Sequence, residues 1–319
     1  MTTTARGSFA DLIDGVFGLL ARTWKTTLLC GSIAFLPAAV LYGWAYDRLF
    51  AAYAHVLPAV EERVLSPVFA LAGMFSWILL AALVQGVAVL FVRACVTAQA
   101  AGAVRGGEAP VAVLAARVVR RDGARLLGQR VLQGLVYAGV AAAAAILIVV
   151  AVAIAAAVGT VPGGSVAAVV IAMLLYVAAL AAAAWLWVRF SFTLESVVID
   201  GAKAARSFGL SASLVRGSWW RVLGTRLIFG MMLGFVASLV ATPIVFFATI
   251  RAYARYLSEM VRGTADAGSL LDMIRAMGSG LPVRLAVFQY LRSMLNAFFA
   301  PAFMTLLYFE MKRRRSEGP

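Results

Sequence analysis

The sequence predicts an all-α membrane protein: six transmembrane helices arranged as three repeats, each an interfacial amphipathic helix followed by a transmembrane hairpin. Three observations predict it. Of the 319 residues, 63% are apolar and only 13% charged, with a mean hydropathy of +0.94; a water-soluble domain is about 45–50% apolar and about 25% charged. Several apolar runs exceed the roughly 20 residues needed to cross about 30 Å of hydrocarbon. Stretches mixing cations, aromatics and helically spaced apolar residues stand at 8–27, 110–133 and 195–230, each ahead of such runs. The expectation is one polytopic membrane domain over 1–319 with pseudo-repeats 8–101, 110–190 and 196–311.

The first amphipathic stretch opens with Ser8 and Asp11 at capping-box spacing. Phe9, Leu12, Ile13, Val16, Phe17 and Leu20 then form one apolar face. Arg22, Trp24 and Lys25 follow as interface anchors, so this helix is expected to lie on the membrane. The first crossing runs roughly Leu28–Tyr46, with Pro37 near its centre as a kink point. Asp47–Pro67 reads as a polar loop holding His55, Glu61 and Glu62. The second span, roughly Val68–Ala101, is long enough to tilt or protrude, with Gln85 deep inside and Arg93 nearer its inner end.

A glycine-containing turn at Val104–Glu108 leads to the second amphipathic helix from Pro110. Arg117, Arg120, Arg121 and Arg125 share one face there, at i, i+3, i+4 and i+8, with the apolar Leu114 and Val118 set against them. The third span (about Val131–Val158) and the fourth (about Val166–Phe190) are joined by the turn Val161–Ser165. The fourth ends in an aromatic belt, Trp185 and Trp187, with Arg189 beside it. The alanine runs Ala141–Ala145 and Ala181–Ala184 permit close helix–helix approach, within the chain or between copies.

Glu195–Gly230 reads as an interfacial helix that bends into the fifth span, with Trp219 and Trp220 as headgroup-depth anchors. That span, about Val222–Ile250, contains Pro243. The segment Arg251–Pro282 is expected to hold one or two short interfacial helices carrying Tyr253, Tyr256, Leu257, Met260, Leu270, Leu271 and Ile274. The sixth span, about Val283–Met311, contains Pro301 and stops at Lys312–Arg315.

The net charge is +14. Most of the 28 Lys and Arg residues fall at span ends on the side shared by the two termini. That bias predicts a bacterial inner-membrane protein with both termini cytoplasmic. The partners it predicts are anionic lipid headgroups on the cytoplasmic face, and no nucleic acid. The first 27 residues are too polar for the core of a signal peptide, so no cleavage is expected.

The segment Asp200–Gly217 with Trp219-Trp220-Arg221-Val222-Leu223-Gly224, and the tail Leu306-Leu307-Tyr308-Phe309-Glu310-Met311-Lys312-Arg313-Arg314-Arg315-Ser316-Glu317-Gly318, carry a family resemblance. They are similar to segments of the membrane domain that accompanies some bacterial glycerophosphoryl diester phosphodiesterases and also occurs alone. Glu310 stands where that family carries Asp. The resemblance implies a fold of six spans with cytoplasmic connectors. It implies no activity, since no catalytic residue carries over.

The residues themselves point away from catalysis. His55 is the sole histidine, and the acids are dispersed, so neither a metal cluster nor a carboxylate pair is expected. Cys30 and Cys95 have no obvious base nearby and read as apolar fillers, with palmitoylation the alternative. Gly106-Gly107 lacks any phosphate-loop context. No cofactor, metal or catalytic residue is expected.

Polar groups at membrane depth remain: Gln85, and Gln289, Arg292 and Asn296 at i, i+3 and i+7 of the sixth span. They serve either as interhelical hydrogen bonds with a snorkelling arginine, or as the lining of a polar cavity. Arg117, Arg120, Arg121, Arg189, Glu195, Arg206, Trp219, Trp220 and Arg221 are the headgroup candidates. Within that set, Arg189 and Glu195 form either a structural clamp or part of a headgroup grip. The expected function is a non-enzymatic, lipid-interacting membrane protein or a scaffold for membrane partners. The alternative is a component of a transporter or exporter for a lipid or small amphiphile.

Overall fold

The computed structural model describes residues 9–61, 66–107, 111–158, 164–264 and 281–317, with isolated positions between 265 and 280. Among the described residues every regular element is helical. Six helices are long and apolar enough to cross a bilayer, which makes this a multi-pass membrane protein. Large apolar side chains face outward along them: Ile33 and Leu79 are each 70% exposed and Phe247 72%. Exposed apolar surface on this scale is what lipid-facing helices require.

The chain divides into two compact units, Met1–Ala115 with Leu227–Phe303, and Ala116–Arg226 with Met304–Pro319. These limits do not coincide with the ends of the expected repeats.

In the first unit, α1 runs unbroken over Phe9–Glu61, about 80 Å at 1.5 Å per residue. The expected interfacial helix at 8–27, the first span and most of the expected loop at 47–67 are therefore one element. The local reason is visible at the predicted break. No Gly or Pro lies between Ala21 and Leu28. Thr23, Thr26 and Thr27 are buried, and the Thr27 hydroxyl donates to the Thr23 carbonyl at 3.1 Å. The Thr27 hydroxyl is thus satisfied within the helix, and Arg22, Trp24 and Lys25 stay exposed on its outer side. The backbone is helical through Pro37 and His55 as well, while Glu62 lies outside the described residues.

Helix α2 (Ser66–Val104) packs antiparallel on α1. It ends as expected at the glycines: Gly106 takes φ +81°, and the Gly107 amide donates to the Gly102 carbonyl at 2.9 Å. Phe35 of α1, Val92 and Val96 of α2, and Met294 and Ala297 form a common core.

Helix α3 (Val111–Arg117), whose last two residues open the second unit, passes through a π-helical turn (Val118–Asp122) into α4 (Gly123–Val158). The second amphipathic stretch is thus continuous with its span rather than a separate helix. Leu114, Val118, Asp122 and Leu126 turn inward at four-residue intervals, with Gln129 following. Helix α5 (Gly164–Arg189) packs on α4. Of the expected turn between them, Val161–Gly163 lie outside the described residues, and Gly164 and Ser165 open α5.

The stretch 195–230 is three elements rather than one bent helix. Helix α6 (Thr193–Asp200) stops at Gly201, φ +67°, where the Ala202 amide returns to the Ser196 carbonyl at 3.2 Å. Helix α7 (Ala204–Val215) ends at a turn through Gly217, φ +82°. Helix α8 (Trp219–Val261) then begins at the tryptophan pair. Two left-handed glycines break what apolar periodicity alone joins.

Helix α8 continues through Pro243 and past the predicted end of the fifth span, closing at Gly263. Tyr253, Tyr256, Leu257 and Met260 therefore belong to it, not to short interfacial helices. Leu270, Leu271 and Ile274 lie outside the described residues. Helix α9 (Leu281–Ser316) contains Pro301.

Candidate functional site: a polar cavity among apolar helices

Two contacts set a depth scale within the first unit. Trp44 and Trp77 meet edge to face at 4.3 Å between ring centroids. The Gln99 side-chain amide donates to the Arg22 carbonyl at 3.2 Å. Between these levels α2 rises about 33 Å, close to the thickness of bilayer hydrocarbon. On this scale Gln85 lies about 12 Å below the tryptophans, and Arg93 about 9 Å above Gln99.

Helix α9 joins the same scale through a close approach: a Cβ on Gly43 would lie 3.1 Å from that of Ala286. Arg292 then sits about 9 Å, and Asn296 about 15 Å, inside the tryptophan level. Tyr290 adds a hydrogen bond to Ser32 of α1 at 3.2 Å.

A cavity of about 310 Å³ opens at this depth. Helix α2 contributes Gln85, Val89 and Arg93, spaced at i, i+4 and i+8; α1 contributes Phe35. Helix α9 contributes Gln289, Arg292, Ser293 and Asn296. The Gln85 side-chain amide donates to the Ser293 hydroxyl, and the Asn296 amide to the Arg292 carbonyl at 3.0 Å. All four intramembrane polar residues singled out in the sequence line this one space. No acidic residue is among those lining it. The cavity offers amide and hydroxyl groups beside two guanidiniums, a set that donates hydrogen bonds to an anion.

Sequence reasoning missed Ser293 and the part played by Arg93. Both were legible: Ser293 falls at i+4 from Gln289 on the same stripe, and Arg93 at i+8 from Gln85. Cys30 and Cys95, read as unrelated fillers, bring their thiols within hydrogen-bonding reach of each other.

No family model, curated protein or solved structure matches this chain. The family resemblance therefore rests on its motif residues alone.

Those motif residues meet in the second unit. The Arg221 guanidinium donates to Glu310 at 2.6 Å, and Arg314 to the same carboxylate oxygen at 2.9 Å. Lys312 donates to Asp200 at 2.8 Å, and the Tyr308 hydroxyl to the other oxygen of that carboxylate. Arg315 reaches Ser213 of α7 at 2.6 Å. Beneath these pairs Leu307, Tyr308 and Met311 are buried, and Phe192 meets the Tyr308 ring edge to face. Ion pairs over a packed apolar floor hold the end of α9 in place; this is fold chemistry rather than an open site.

The headgroup candidates separate accordingly. Arg221 is engaged by Glu310. Glu195 is 1% exposed. The Arg189 guanidinium lies over the Trp185 ring at 4.5 Å. Arg226, absent from the candidate set, covers Trp187 at 3.9 Å. Arg125 donates to the Gly201 carbonyl at 3.3 Å, at the negative end of α6. Arg117, Arg120, Arg121 and Arg206 remain exposed. Trp220 is 78% exposed, while its neighbour Trp219 is half-buried. Among the described residues no cluster of three His, Cys, Asp or Glu is placed to hold a metal.

Proposed function

We propose that this chain is a non-enzymatic integral membrane protein that engages anionic lipid, set in a bacterial inner membrane with both termini cytoplasmic. The observation that carries the reading is the sorting of its cations. Arg125, Arg221, Lys312 and Arg314 are spent on protein partners. Arg117 and Arg120 stay exposed on a stretch continuous with a span, and so does Arg121, beside a loose 3.9 Å ion pair to Asp122. Cations beside an anionic leaflet contribute about 1 kcal/mol each. The recurrence of a basic stretch ahead of each pair of spans supports the reading of three repeats, and the motif residues support kinship with the phosphodiesterase-associated membrane domain.

The test is lipid analysis of the purified full chain. The wild type is expected to carry phosphatidylglycerol or another anionic lipid in excess over its share of the host membrane. Arg117→Ala/Arg120→Ala/Arg121→Ala is expected to lose that excess. An unchanged lipid profile rejects the reading.

One observation favours the alternative, a transporter or exporter component for a lipid or amphiphile: the cavity at hydrocarbon depth. It requires that a cysteine at Asn296 react with water-soluble thiol reagents from both sides of the membrane. Labelling from a single side argues against transport.

A further inference from the structure

We propose that the cavity around Gln85 and Asn296, together with an apolar groove beside it, is one binding site for a single amphiphile: a lipid whose anionic headgroup lies in the cavity and whose acyl chain lies in the groove. The inference builds on the reading that these helices meet anionic lipid, and it adds where one lipid is held and how.

The groove has a volume of about 230 Å³ and lies between α8 and α9. Its walls are Ala237 and Val240 on one side and Phe288, Leu291, Leu295 and Phe298 on the other, with Arg292 the only polar side chain. That arginine borders the polar cavity as well. One guanidinium thus stands where a hydrogen-bonding chamber gives way to a hydrocarbon one, which is the chemical layout of a lipid molecule. Leu291 is 38% exposed and Val240 43%, so the groove opens on the surface that faces acyl chains.

Depth supports the same assignment. Arg292 is about 9 Å inside the tryptophan level, below the plane where a bulk headgroup rests. A charged side chain there is costly unless it has a polar surround. The neighbouring amides and an incoming phosphate supply that surround, and the phosphate gains charge-assisted hydrogen bonds. A volume of 310 Å³ lies at the lower end of the range for ligand pockets, roughly 300–1,000 Å³, which suits a headgroup rather than a whole lipid. The chain then needs a second compartment, and the groove is adjacent.

The test uses the full chain in bilayers of phosphatidylethanolamine containing a small fraction of phosphatidylglycerol with a photoreactive diazirine in one acyl chain. After illumination, adducts are mapped by peptide mass spectrometry. They are expected to concentrate at Leu291, Leu295 and Val240, and to be displaced by excess unlabelled phosphatidylglycerol but not by phosphatidylcholine or by glycerol 3-phosphate. Arg292→Gln, at an exposed position, should reduce them about tenfold, the size of losing one charge-assisted hydrogen bond. Leu291→Trp, which fills the groove, should remove them from Leu295 and Val240 while the headgroup residues are intact.

Adducts spread equally over the outward-facing Phe235 and Leu239, and indifferent to Arg292→Gln, overturn the proposal. So does equal displacement by phosphatidylcholine, and displacement by glycerol 3-phosphate assigns the cavity to a soluble anion instead. The adducts should persist in Arg117→Ala/Arg120→Ala/Arg121→Ala. That result separates failure of the surface reading from failure of this one.

Discussion

Glu310 accepts hydrogen bonds from two guanidiniums while its own side chain is 7% exposed. Removing either partner leaves a poorly solvated charge without its main compensation, which costs more than the pair gains when intact. Glu310→Ala and Arg221→Ala are each expected to lower stability by about 1–3 kcal/mol, read as a lower thermal unfolding midpoint of the purified protein. Combined, they should lose clearly less than the two single losses taken together, because they break the same contact. Strict additivity would mean that the contact does not form. In the sequence the four cations Lys312–Arg315 served as a stop signal, as part of the charge bias and as part of the family-like tail. The Arg314–Glu310 pair is an i,i+4 contact that local spacing encodes, but the pairing of Lys312 with Asp200 and of Arg315 with Ser213 depends on α6 and α7 arriving from 112 and 102 residues away.

At the scale of the element, the predicted spans exist and α2 and α5 end close to their predicted limits, but the breaks expected near Lys25 and Ile250 do not occur and the breaks inside 195–230 were not expected. A polar cluster such as Arg22–Lys25 marks an interface by composition, but only a residue that prefers another backbone conformation ends a helix. The chain supplies such residues at Gly106, Gly201, Gly217 and Gly263, all at positive φ. It supplies none between Ala21 and Leu28, and α1 runs on. Glycine acts differently at Gly43, where it admits α9 rather than ending α1. Gly43→Leu should therefore destabilise the protein by about 1–3 kcal/mol through overpacking against Ala286. Gly86→Ala in α2, where a Cβ meets nothing within 4 Å, should leave the unfolding midpoint unchanged or higher. Equal effects at the two sites would contradict the α1–α9 approach.

For the whole molecule, the proposed orientation rests on the charge bias and on α9, a helix about 54 Å long from Leu281 to Ser316. Compartment-sensitive reporters at the C-terminus and beside Thr264 should report opposite sides, with the C-terminus cytoplasmic. Both reporting one side would remove the sixth crossing and the lipid-facing assignment of the groove with it.

Composition and periodicity pointed, without any structure, to a helical chain with six helices able to cross a bilayer, as found among the described residues, and they singled out Gln85, Gln289, Arg292 and Asn296 as intramembrane polar candidates. Those properties are local: hydrocarbon solubility and a repeat of 3.6 residues are written in consecutive letters. Tertiary structure alone decided that the Gln85–Arg93 stripe of α2 and the Gln289–Asn296 stripe of α9 line one space, that Arg292 also borders an apolar groove, and that Arg221 meets Glu310. Each of these depends on which face of one helix turns toward another. In a chain whose helices are apolar nearly all round, hydrophobicity does not select that face; close approach at small residues and a few hydrogen bonds do.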